Sequence, residues 1–245
     1  MSNFEFHFLY LLLHLSFTAK LTEGSVTLST EESLHVSKVL RLKNGDQLKL
    51  TDGKGKSAVG RITAAAKKNV TVQVDIVKTE AENPYLLELA IAPTKSNDRF
   101  ELVLEKCTEL GIARIHPILT YHSERRKLNM ERSRKIVLSA MKQSQKTWLP
   151  EIMDPCKFSD FLTKPFEGNR FLAHCNSDFS RASLKTELTE RATLICIGPE
   201  GDFSSEEIQQ ALDSGCTSVH LGEERLRTET AALFATSIFH TITTL

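Results

Sequence analysis

The chain comprises 245 residues, 40% of them apolar and 25% charged, with 31 Lys and Arg against 31 Asp and Glu. This composition excludes a disordered, collagenous or disulfide-stapled chain. It fits a soluble globular protein of one or two domains that needs no metal or disulfide to hold its core.

An uncharged stretch opens the chain over residues 6–19. At 14 residues it is shorter than the roughly 20 that a membrane-spanning helix needs. No Lys or Arg precedes it, as a secretory signal would require. It reads as a non-targeting segment that packs on the body or lies upstream of the true start.

From residue 34 to residue 77 the pattern is β. Residues 47–51 alternate, Asp52-Gly53-Lys54-Gly55 is a turn, residues 58–64 form another strand, and Lys67-Lys68-Asn69 turns again. Val70, Val72, Val74 and Ile76 then alternate with polar partners. Short strands with polar turns predict a small barrel. Residues 80–84, ending in proline, are the candidate linker between a first domain at 1–80 and a second at 85–245.

Beyond the linker the period changes. Residues 86–92 are an apolar run, and Phe100, Val103, Leu104, Cys107 and Leu110 recur at helical spacing before Gly111. The order continues with a strand at 112–119, a helix at 130–145, strands at 170–175 and 193–198, a helix at 204–214, a strand at 218–221 and a helix at 229–242. This alternation predicts an α/β domain, a mostly parallel sheet covered on both faces.

Charge is unevenly spread although it sums to zero. Residues 123–146 carry eight basic and two acidic side chains, and residues 198–230 carry eight acids and two arginines. A concentrated basic segment attracts phosphate even in a neutral chain.

Several chemical signatures are missing. The Gly55-Lys56-Ser57 triplet lacks the glycine a phosphate loop needs five positions earlier, where Leu50 stands. No G-x-G-x-x-G, H-E-x-x-H or G-x-S-x-G occurs. The five cysteines (Cys107, Cys156, Cys175, Cys196 and Cys216) form no CxxC pair, so no structural metal site is expected and buried thiols in a reducing cytosol are.

The remaining signal lies late in the chain. The apolar strand Leu194-Ile195-Cys196-Ile197 runs into Gly198-Pro199-Glu200-Gly201-Asp202-Phe203-Ser204, where two glycines permit a sharp turn. Ser204 and Glu207 fit a capping box. Leu221-Gly222 through Thr228 and Ala231 repeats the plan of strand, glycine, loop and helix, with Thr228 or Thr230 able to cap. Ligands in open α/β sheets bind at such strand ends, and two loops of this kind suit an adenine or amino-acid moiety.

Residues 198–207 and 221–231 together resemble the cofactor site of the SPOUT class of knotted methyltransferases. More narrowly, the chain resembles the RsmE family of 16S ribosomal RNA uridine-N3 methyltransferases. The resemblance runs from about residue 14 to the end. It rests also on His35-Val36-Ser37-Lys38-Val39-Leu40-Arg41-Leu42, on Glu105 to Gly111 with Lys95, on Ser123-Glu124-Arg125, and on Lys142-Gln143-Ser144 with Pro150.

The resemblance implies a PUA-like RNA-binding β-barrel, an α/β domain with a deep trefoil knot, a homodimer in the cytoplasm, and S-adenosylmethionine bound in the knot. Carried over by position, the cofactor pocket is Leu172, His174, Ile197, Gly198, Pro199, Glu200, Gly201, Leu221, Gly222, Leu226, Arg227, Thr228 and Ala231. His174 enters only in this way and is otherwise read as a core histidine. Two departures stand out. Asp202 occupies a position where the family commonly has glycine, and residues 1–13 precede the matching strand His14-Leu15-Ser16-Phe17.

Methylation at uridine N3 requires loss of the N3 proton, hence a base or a cation beside the methyl group. Glu200 is the candidate base or orienter, and is equally readable as an acid favouring a helix N-terminus. Arg125 is the candidate clamp on phosphate or uracil oxygens. The expected RNA footprint is Lys38, Arg41 and Lys43 in the barrel, with Arg125, Arg126, Lys127, Arg132 and Lys135 in the second domain. The partner is then 16S ribosomal RNA in the small subunit, with no membrane and no metal. A non-catalytic RNA-binding or ribosome-assembly protein, or a knotted enzyme for another nucleoside, are the alternatives.

Overall fold

The computed structural model describes residues 13–83, 86–189 and 191–243. The first half of the leading apolar stretch, residues 6–12, and Pro84 of the candidate linker lie outside the described residues. The chain divides into two compact units, one reaching Glu82 and taking in Met141–Leu149, the other made of Asn83–Ala140 and Pro150–Leu245.

Among the described residues the first unit is a mixed sheet of six strands. They are β1 (Leu15–Phe17), β2 (Gly24–Thr27), β3 (Gln47–Thr51), β4 (Lys56–Ala66), β5 (Asn69–Val74) and β6 (Lys78–Thr79), ordered β1-β3-β4-β5-β2 with β6 on β4. Alternation places Val70, Val72 and Val74 inside with Leu48, Leu50 and Ile62. A register shift between Ile62 and Ala64 bends the long β4, as bulges do.

Here one expectation fails. Residues 34–39 are helical, not β: helix α1 (Thr30–Leu34), capped by the Ser29 side chain on the Glu32 amide, runs into a π turn over His35–Val39. The cap and the burial of Val36 outweigh the β-branched residues.

Segment Met141–Leu149 is stitched to this sheet. The buried Lys49 ammonium donates to Gln145 Oε1 at 3.0 Å, the Thr147 hydroxyl donates to Glu80 Oε2 at 2.7 Å, and Lys142 pairs with Glu32. Desolvation lowers the pKa of both Lys49 and Lys146.

The second unit is an all-parallel sheet. Its strands are β7 (Leu87–Ile91), β8 (Arg114–Leu119), β9 (Glu151–Ile152), β10 (Cys156–Lys157), β11 (Asn169–Ala173), β12 (Ala182–Ser183), β13 (Thr193–Ile197) and β14 (Thr217–His220). The order is β10-β8-β7-β13-β11-β14-β12, with β9 on β8. Central β13 is buried along its whole length, as a strand covered on both faces must be.

Helices α2 (Asn97–Leu110) and α7 (Thr228–Thr243) pack together, α7 also touching β7 and β13. Gly111 in the left-handed region ends α2 as expected. Between these two helices in sequence come α3 (Met130–Gln143), α4 (Phe158–Leu162), α5 (Leu184–Glu187) and α6 (Ser205–Asp213). Phe158 and Phe161 of α4 with Ile208 and Ala211 of α6 close a core over Ala90, Leu172, Leu194 and Cys196. Among the described residues, no helix is long and apolar enough to cross a membrane.

Candidate functional site

Strand order brings the late loops together. β11 lies between β13 and β14, and all three run parallel, so their carboxyl-end loops emerge side by side. They surround a cavity of about 990 Å³. β13 contributes Ile197 and the turn Gly198-Pro199-Glu200-Gly201. The end of β14 contributes Leu221, Gly222, Leu226 and Arg227, and α7 adds Thr228 and Ala231. His174 lies on the wall after β11. Every expected pocket residue but one therefore lies on this wall. Leu172 is instead fully buried in the core, and its neighbour Ala173 faces the cavity.

The two glycines of the turn serve close packing. A β-carbon at Gly201 would stand 3.0 Å from His122 Cβ, and one at Gly198 would stand 3.1 Å from the Phe203 ring. The left-handed residue is Asp202, at φ 61°. Asp is among the few non-glycine residues that tolerate this region. Its carboxylate accepts hydrogen bonds from the Phe203 amide at 2.8 Å and the Cys175 amide at 2.7 Å. The Thr228 hydroxyl donates to the Gly198 carbonyl at 3.1 Å, tying the start of α7 to the same turn. Ser204 and Glu207 form the expected capping box.

His174 is buried, with Nε2 2.9 Å from the Ser218 hydroxyl and Nδ1 without a hydrogen-bond partner among the described residues. Burial holds its pKa below the ordinary 6.5, opposed by Asp202 and reinforced by Arg181. Arg181, Asn176, Asp202 and His220 also line the cavity. Sequence reasoning missed them, and only the position of Asp202 in the glycine turn pointed to any of the four.

Glu200 is exposed on the wall, and its Oε1 accepts from the Lys95 amide at 3.1 Å. Arg125 is off the wall. Its guanidinium donates to the Thr94 carbonyl at 2.9 Å, the Lys95 carbonyl and Asn97 Oδ1. It thus grips the loop whose amide holds Glu200. The Lys95 ammonium pairs with Glu124 at 2.9 Å, which raises its pKa.

The expected RNA contacts fall into two groups. Lys38, Arg41, Lys43, Arg126 and Lys127 are exposed. Arg132 forks onto Glu101 with bonds of 2.5 and 2.8 Å, lowering the pKa of that carboxyl, and Lys135 pairs with Glu131 at 2.8 Å. Among the described residues, no cluster of three or more His, Cys, Asp or Glu side chains is placed to hold a metal.

Residues 81–240 match the model of an RNA methyltransferase domain, and residues 28–75 that of an RNA methyltransferase PUA domain. The ribosomal RNA small subunit methyltransferase E of Synechocystis sp. is 32% identical over 223 residues, covering 88% of this chain and 73% of that protein. Its namesake from Rickettsia conorii is 32% identical over 227 residues, covering 89% and 90%. The crystal structure of a probable rRNA-methyltransferase from Porphyromonas gingivalis superposes with a TM-score of 0.87 at 36% identity, over 95% of this chain and 99% of the other. The Neisseria gonorrhoeae ribosomal RNA small subunit methyltransferase E bound to S-adenosyl methionine gives 0.85 at 28%, over 94% and 97%. Two domain models in the expected order and this agreement of sequence with fold leave one conclusion: the chain belongs to the ribosomal RNA small subunit methyltransferase E family.

Proposed function

We propose that this protein transfers a methyl group from S-adenosylmethionine to N3 of a uridine in the 16S ribosomal RNA of the small subunit. The observation that carries the reading is the convergence of the β11, β13 and β14 loops on one cavity.

The residues present fit the methyl donor. Ile197, Leu226 and Ala231 offer apolar surface for an adenine, the turns offer backbone groups for its edge, and Glu200 and Asp202 offer negative charge for a sulfonium. Bound there, S-adenosylmethionine supplies an electrophilic methyl group. Glu200 accepts or orients the N3 proton of the uracil, since the protonated nitrogen has no in-plane lone pair to attack with. Arg125 holds the 94–97 loop, and through the Lys95 amide it holds Glu200. Placing base and acceptor beside the methyl group supplies much of the rate.

Exposed Arg126 and Lys127, with Lys38, Arg41 and Lys43, take phosphate, while Arg132 and Lys135 join them by exchanging acidic partners. The protein acts in the cytoplasm as a homodimer, for which exposed Leu102, Leu110 and Phe234 on α2 and α7 supply apolar contact. The tie between Thr228 and Gly198, with α7 crossing back to β7 and β13, is compatible with the trefoil knot of the class.

The test is a modification map of 16S ribosomal RNA by mass spectrometry, with and without the gene, joined to methyl transfer by purified protein on free RNA and on small subunits. A missing methyl at one uridine N3, restored by the protein, is expected. An unchanged map overturns the reading. In the same assay at saturating donor, Glu200→Gln lowers turnover at least tenfold, and full turnover removes Glu200 from the chemistry.

A further inference from the structure

Between β8 and α3 the chain turns an aromatic side chain toward solvent. Tyr121 is 74% exposed, the largest exposure among the large apolar or aromatic side chains described. Single exposed rings are ordinary on protein surfaces. What sets Tyr121 apart is that its exposed ring stands on a rigid support beside the cavity wall.

Tyr121 is nevertheless held firmly. Its amide donates to Glu207 Oε1 at 2.8 Å, so the capping box of α6 also fixes this residue. Two residues on, the Ser123 hydroxyl lies 2.9 Å from both the amide and the hydroxyl of Thr120, closing the turn. The Tyr121 ring stands edge-on to the His122 ring at 5.0 Å. His122 is in turn anchored, its Nδ1 3.0 Å from the Asp202 carbonyl and its Cβ against Gly201. Gly201 and Asp202 line the cavity. The aromatic pair therefore borders the site, and the exposed Arg126 and Lys127 follow in the same loop.

We infer that Tyr121, braced by His122, is a stacking platform for an RNA base at the entrance to the methyl-transfer cavity. Uridine N3 lies on the pairing edge of its base, so the target must leave its stack to be methylated. A rigid exposed ring beside the cavity receives the flipped base or its neighbour, and the two cations hold the adjoining phosphates. Every base has a flat π face, so such a platform recognises unstacked RNA rather than a sequence. The inference rests on the RNA reading proposed above and adds the residue that meets the acceptor.

The experiment compares Tyr121→Ala, Tyr121→Phe and Tyr121→Trp with the wild type, at saturating S-adenosylmethionine and varied small-subunit RNA. The alanine variant raises KM for RNA about tenfold with a smaller change in kcat, while phenylalanine and tryptophan restore it. Donor affinity by calorimetry stays at the wild-type value in all three. The chain has one native tryptophan, so the indole introduced at 121 gives a separable fluorescence signal, which RNA quenches. An unchanged KM in the alanine variant, failure of phenylalanine to rescue, or loss of donor affinity overturns the platform. A wild-type protein that transfers no methyl while the introduced indole is still quenched overturns the proposed reaction and leaves the platform standing.

Discussion

The Asp202 carboxylate accepts a hydrogen bond from the Cys175 amide at 2.7 Å, joining the turn after β13 to the turn after β11 on the cavity wall. The same carboxylate accepts from Phe203, and the backbone stands at φ 61°. Glycine would relax the backbone and lose both bonds. Asparagine would keep one acceptor and turn an N–H donor toward an N–H. Hydrogen bonds to a charged group contribute about 1.5–3 kcal/mol. Asp202→Gly and Asp202→Asn are therefore each expected to weaken methyl-donor binding about tenfold by calorimetry. A glycine variant that binds as tightly as wild type would show that the clip does not shape the site.

The start of α7 depends on the Thr228 hydroxyl, which donates to the buried Gly198 carbonyl. Thr228→Val keeps the shape and removes the donor, stranding the carbonyl at a cost of about 1–3 kcal/mol. Urea unfolding and donor affinity are both expected to report the loss. Thr228→Ser, which keeps the hydroxyl, should restore most of each.

His174 links the site to pH. Burial lowers its folded-state pKa beneath the ordinary 6.5, so as pH falls the unfolded chain takes up the proton first. The stability this residue contributes is complete above 6.5 and declines as pH drops toward the folded-state value. His174→Gln removes that titration. The wild type should lose more thermal stability than the variant between about pH 7.5 and about pH 5.5. Equal losses would mean that His174 is not held neutral by its surroundings.

What the sequence made legible follows from which signals are local. The alternation in β5, the Ser204–Glu207 box and the Gly111 stop each depend on neighbours a few residues away, and all appear in the structure. Strand β3 forms where expected, but Leu48 to Thr51 are all buried instead of alternating. Leu172 was harder to place. In a strand apolar on both faces, period two carries no sign of which residues face a cavity, so Leu172 and Ala173 could not be told apart. The run of cations at 125–127 likewise hid the fact that Arg125 turns inward to three acceptors while Arg126 faces solvent. Helical periodicity in α3 gave no hint that its last turn, with the residues through Leu149, packs against the first sheet.

That packing rests on a pair removed from water. The Lys142 side chain is 18% exposed and that of Glu32 6%, and the second Glu32 oxygen accepts from the Phe17 amide at 3.3 Å. Removing one partner leaves an uncompensated buried charge, whereas removing both leaves none. Lys142→Met is expected to destabilise the first unit by about 3 kcal/mol. Lys142→Met combined with Glu32→Gln should recover most of it, a coupling that a double-mutant cycle measures. Trp148, next to Gly55 in the same unit, is the native fluorescence probe for the unfolding curve. Additive effects of the two substitutions would show that Lys142 and Glu32 do not act as a pair. The stitching of Met141–Leu149 to the sheet would then rest on Lys49 with Gln145, Thr147 with Glu80, and the bonds that Gly55 and Thr51 donate to the Thr147 carbonyl and Leu149 to the Gly53 carbonyl.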